Sequence, residues 1–104
     1  MVNAGGVTIE DVRARASGDS YRFDVTVSHA DTGWEHYADA WEVRLSDGTV
    51  LGTRILAHPH VNEQPFTRSL SGVVIPAGVE EVLIFSRDSV HGWSETGYVF
   101  AVPR

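Results

Sequence analysis

Histidine is the residue type in this chain best suited to chemistry near neutral pH, since its ring changes charge between pH 5 and 8 and, when neutral, is the commonest metal ligand. His58 and His60 stand two apart in the run His58-Pro59-His60-Val61-Asn62-Glu63-Gln64-Pro65. An extended chain with that spacing aims both rings to one side, and two prolines keep the run out of a central ladder. His36 and His91 are the candidates for a third ligand from neighbouring loops, and three imidazoles suit zinc or copper. Local spacing fixes no third ligand, so the competing reading makes His58 and His60 loop-packing residues that bond to backbone.

The aromatic residues Trp34, Tyr37 and Trp93 offer a second chemistry. An exposed platform of rings beside the carboxylates Asp31, Glu63 and Asp88 suits a glycan or a peptide, whereas rings folded back would cap an open end of the core. Catalysis has less support. Asp31, Glu35 and Asp88 are not paired with a histidine by local spacing, and Ser86, Ser89 and Ser94 lie outside any Gly-x-Ser-x-Gly elbow. A small β domain also lacks the deep cleft that most catalysis needs. The expectation is a binding module and not an enzyme, with a structural or protein-interaction domain that holds no metal as the alternative.

The elements that must position these residues follow from hydrophobic periodicity, which has period two throughout. Val7 and Ile9 occupy one register and Val12, Ala14 and Ala16 another, which predicts a bulge near Glu10 and Asp11 in a first strand over 7–16. Tyr21, Phe23, Val25 and Val27 alternate with Arg22, Asp24, Thr26 and Ser28 in a second. Trp41, Val43 and Leu45 point inward in a third, with Trp41 the central core aromatic, and Asp47-Gly48 favours a tight hairpin into a fourth over 50–57. A fifth strand spans Phe66 to Ile75 with a bulge at Gly72. Arg68 falls between Phe66 and Leu70 on its buried face and calls for a carboxylate partner, Glu63 or Asp39, unless the register is shifted by one. Val82 to Phe85 and Tyr98 to Val102 complete about seven strands. The prediction is an all-β chain, a single antiparallel β-sandwich of the immunoglobulin or fibronectin type III kind, with 1–6 a flexible start and 7–104 one domain.

In such a sandwich the loops at 31–38, 58–65 and 89–96 fall at one end, and the turns at 46–49 and 76–81 at the other. The three-loop end then holds four of the five histidines and two of the three tryptophans. Loops carried by a rigid scaffold are where function concentrates.

Composition excludes several classes. The net charge is -6, and eight arginines scattered singly among fourteen carboxylates make no basic patch for nucleic acid. The absence of lysine fits the codon bias of a GC-rich genome. The absence of cysteine removes thiol nucleophiles, thiolate zinc sites and disulfides. No run of 18 apolar residues provides a membrane span, and a monomer is expected. Met1 to Gly6 carries neither the basic region nor the apolar run of a secretory signal. That start implies a cytoplasmic protein, unless a leader precedes it in the native chain, in which case the location is periplasmic or secreted.

The run Asp31-Thr32-Gly33-Trp34-Glu35-His36-Tyr37-Ala38-Asp39, followed by Trp41-Glu42-Val43 and Asp47-Gly48-Thr49, resembles a family of small uncharacterised bacterial proteins. So does His58-Pro59-His60-Val61-Asn62-Glu63-Gln64-Pro65-Phe66-Thr67-Arg68-Ser69-Leu70-Ser71-Gly72. The likeness spans most of the chain. It implies a bacterial source, an immunoglobulin-like domain and an often exported protein, and it brings no established activity.

Overall fold

The computed structural model describes residues 6–103; most of the expected flexible start lies outside them. Eight strands follow one another: β1 (Thr8–Ser17), β2 (Ser20–Ser28), β3 (Ala38–Arg44), β4 (Val50–Ile55), β5 (Phe66–Val73), β6 (Glu81–Asp88), β7 (Gly92–Trp93) and β8 (Tyr98–Ala101). There is no helix among the described residues. One sheet has the order β1-β2-β5, the other β4-β3-β6-β7 with β8 also on β6, and every pairing is antiparallel. The two sheets pack as a β-sandwich, as the periodicity predicts, with the two-residue β7 an addition to the expected strands.

The core is the set of inward residues that alternation marks. Phe23, Val25 and Val27 from one sheet meet Trp41, Val43, Val82 and Ile84 from the other, all essentially inaccessible to solvent. Trp41 is the largest of the fully buried side chains, and Phe100 of β8 meets Phe23 edge-on with centroids 5.8 Å apart. Burying a side chain of this size contributes about 1.5–3 kcal/mol each.

The irregularities fall where the residues require them. The β1 register shifts between Ile9 and Asp11, and the β2–β5 register shifts opposite Gly72, whose φ is +73°. In the hairpin after β3, Gly48 has φ +94° and Leu45 N–H donates to the Thr49 carbonyl at 2.8 Å. Arg68 sits at the open edge of the sandwich instead of in its core, where its guanidinium lies 3.5 Å from Glu63. Asp39, the other expected partner, pairs with Arg87.

β2, β4 and β6 all run toward the same end, so the segments at 29–37, 56–65 and 89–97 gather there. Hydrogen bonds tie the first and last of these directly: Ser89 N–H donates to the Tyr37 carbonyl at 2.9 Å, and Tyr37 N–H to Ser89 Oγ at 3.0 Å.

Candidate functional site

The inward register of β2 does not stop at Val27. Two residues further it reaches His29, and two further still Asp31, both buried. β6 does the same, passing from Val82 and Ile84 to Ser86 and Asp88, again buried. The two sheets therefore change from apolar to polar at one depth, and the polar ends face each other beneath the loops.

Asp31 organises one side. His29 Nδ1–H donates to Asp31 Oδ1 at 2.5 Å, Ala38 N–H donates to the same oxygen at 3.1 Å, and His60 N–H donates to Oδ2 at 2.8 Å. One carboxylate thus joins the end of β2, the start of β3 and the 56–65 segment. Gln64 adds a second strap, accepting from His29 N–H at 3.0 Å and donating to the His60 carbonyl at 2.8 Å. The Asp31 contact places the His29 proton on Nδ1, which makes Nε2 its electron-pair donor.

Asp88 organises the other side. Its Oδ1 accepts from His91 N–H at 2.7 Å and Val90 N–H at 2.9 Å, and His91 Nδ1 lies 3.0 and 3.1 Å from its two oxygens. Burial pushes the Asp88 carboxyl upward, the largest single influence, but the two backbone N–H groups and the His91 ring together outweigh it and hold it below the usual carboxylate range. Asp88 is therefore an anion in a buried place, which calls for a cation or for strong donors.

His36 approaches from a tight turn. Thr32 N–H donates to the His36 carbonyl and His36 N–H to the Gly33 carbonyl. Gly33 has φ +141°, a backbone conformation that residues with a Cβ rarely adopt, so the turn favours glycine. His36 Nε2 is 3.2 Å from Asp88 Oδ1 yet is buried without a hydrogen-bond partner. Two donors on one tetrahedral ion with bonds near 2.0 Å stand about 3.3 Å apart. One donor atom from each of His29, His36 and Asp88 lies within 4.8 Å of the others, so closing all three onto an ion needs a contraction of about 1.5 Å in the longest pair.

The ring of His36 is 4.7 Å from that of His29 and 5.1 Å from that of His91. His58 and His60 form a separate pair, also at 4.7 Å. There the His60 ring stacks on Phe66 at 3.8 Å, and Arg68 Nη2–H donates to His60 Nε2 at 2.8 Å. Desolvation first, then the Arg68 charge, holds the His60 pKa below its ordinary value. The expected set of His36, His58, His60 and His91 does reach one pole, but in two clusters, with Asp31 between them.

Among the aromatic candidates, Trp34 is 67% exposed and packs edge-on against Tyr37 at 5.5 Å. Tyr37 and Trp93 line one hollow on the outer face of the five-stranded sheet, with Asp39, Ile55 and Arg87. Arg44 lies over Phe85 and beside Trp93. Glu63 is exposed and reaches Arg68 and, at 3.9 Å, His60.

No protein-family model matches this chain, and no solved structure matches it significantly. A protein of the archaeon Halomicrobium mukohataei described as a "Putative lipoprotein" is 40% identical over 78 residues, 75% of this chain. The chain spans 38% of the length of that relative. The relative is archaeal, whereas the motif resemblance points to bacterial proteins.

The residue that sequence reasoning passed over is His29. It follows Tyr21, Phe23, Val25 and Val27 at the same period of two, and a titratable side chain continuing a core register was the available signal.

Proposed function

We propose that this chain is a non-enzymatic β-sandwich binding module that holds a divalent transition metal, zinc or copper(II), through His29, His36 and Asp88, with His91 and Asp31 orienting the ligands. The observation that carries this reading is the approach of three donor atoms, two from the 29–37 segment and one from the end of β6, one of them a buried anion and one a buried ring nitrogen without a hydrogen-bond partner. The outer partners have the form metal sites use, in which a ligating histidine gives its other N–H to a carboxylate. The strand order β1-β2-β5 facing β4-β3-β6-β8 supports an immunoglobulin or fibronectin type III scaffold beneath the site. The lipoprotein description of the relative supports an exported protein.

The test is elemental analysis of protein purified without chelator or histidine tag, followed by zinc titration observed through the imidazole NMR signals. One equivalent should shift His29, His36 and His91 and leave His58 unmoved. Uniform or absent shifts overturn the reading.

A second reading, a glycan platform, is supported by the exposure of Trp34 against Tyr37. Glycan addition should then change tryptophan fluorescence in the wild type and not in Trp34→Ala. Silence across a broad glycan panel removes it.

A further inference from the structure

We infer that a metal held by His29, His36 and Asp88 keeps one coordination position open toward the hollow between the start of β1 and the β6–β8 segment, where a small monodentate anion exchanges with water. The inference rests on the metal reading above. Closed structural sites take four protein ligands, and sites that exchange a ligand take three; among the described residues three converge here. The His91 ring stands 5.1 Å from that of His36, but its Nδ1 is committed to Asp88, which turns Nε2 to the far side of its ring.

Asp88 and His91 form part of the wall of a hollow of about 500 Å³, with Ser86, Ser94, Glu95, Thr96 and Tyr98 around it. A water occupies about 30 Å³ of liquid, so the space admits a ligand of several atoms. Charge selects the class. Within its own coordination sphere, a divalent ion with two neutral imidazoles and one carboxylate keeps one net positive charge, which a directly bound anion neutralises. Without the ion, the Asp88 carboxylate repels that same anion, so anion binding must depend on metal. Coordination changes no oxidation state: the anion donates one electron pair to the ion and a water leaves.

The experiment uses the full chain loaded with cobalt(II), whose visible bands report coordination, and sodium azide as the probe. Azide should shift the cobalt bands saturably and should leave metal-free protein unaffected. Thr96→Trp, or Glu95→Trp should the first fail to fold, narrows the hollow without touching a ligand. Either should keep the starting cobalt spectrum and weaken the azide response about tenfold or more. Cobalt bands indifferent to azide, bands lost through stripping of the ion, or a folded blocking variant with the wild-type azide response each overturn the open position while leaving metal binding standing. No cobalt bands at all sinks both readings.

Discussion

The loop pole contains two pairs of histidine rings at the same separation, His29 with His36 and His58 with His60, each 4.7 Å between centroids. Ring spacing does not distinguish them; their neighbours do. The first pair faces two buried carboxylates, one holding a ring nitrogen of His29 and the other 3.2 Å from His36. The second faces a guanidinium that already occupies the lone pair of His60, with a phenyl ring stacked beneath. A dication brought to the first pair gains an anionic ligand, and one brought to the second must displace Arg68 and meet its charge. A histidine cluster becomes a metal site through the sign of the charge that the fold sets against it.

The sharpest way to break this comparison is Asp88→Asn, which removes the anionic ligand while keeping the shape. Zinc affinity should fall by more than the roughly 10–100-fold that an orienting partner is worth, read by calorimetric titration. Asp31→Asn comes next. The amide has one acceptor oxygen where the carboxylate serves His29, Ala38 and His60 with two, so one buried N–H faces an NH₂ group. Zinc affinity should drop about 10–100-fold, and chemical denaturation of the metal-free protein should show a loss of about 1–3 kcal/mol. Unchanged zinc affinity in Asp88→Asn would erase the distinction between the two pairs.

Much of the scaffold was legible because alternation, bulges and the Asp47-Gly48 turn are local properties. Val7 and Ile9 against Val12 and Ala14 announce the β1 shift, and Glu42 and Arg44 alternating with Trp41, Val43 and Leu45 assign both faces of β3. The common pole of the three loops followed from strand direction alone. The site was less legible, because its decisive contacts join residues far apart in the chain. His36 and Asp88 meet across the β3–β6 pairing, and Asp31 reaches His60 across 29 positions. Local reading favours His58 and His60 because they are neighbours in sequence, and it cannot see that Arg68, eight residues on, turns back onto one of them. The two-residue β7 escaped for a similar reason: Gly92–Trp93 is too short for periodicity and is a strand only because Arg87 and Asp88 lie opposite.

Acid should expose the second pair in its own way. The unfolded His60 titrates near 6.5, and the folded ring lower. Above about pH 6.5 both states are neutral and contribute no pH dependence. Below it the unfolded chain takes up a proton that the folded ring refuses, so stability falls with decreasing pH until the folded pKa is reached. Denaturation midpoints of the chelator-treated protein should therefore decline as the pH falls below about 6.5, with a slope from this group of at most about 1.4 kcal/mol per pH unit. Arg68→Gln removes the second cause of the shift and leaves desolvation, so the decline should become shallower without vanishing. An identical slope in the variant would mean that Arg68 does not govern this ring.

The smallest effect belongs to His58, the residue that spacing alone makes most suggestive. Its ring is exposed, and its Nδ1 contacts only the carbonyl of the next residue, at 3.2 Å. His58→Ala should stay within about 0.5 kcal/mol of wild-type stability and leave zinc affinity unchanged. A loss of zinc binding as large as in Asp88→Asn would mean that the ion sits over the 58–60 segment after all, with Arg68 displaced. Because the two variants then exchange outcomes completely, this near-silent substitution decides between the pairs as firmly as the most damaging one.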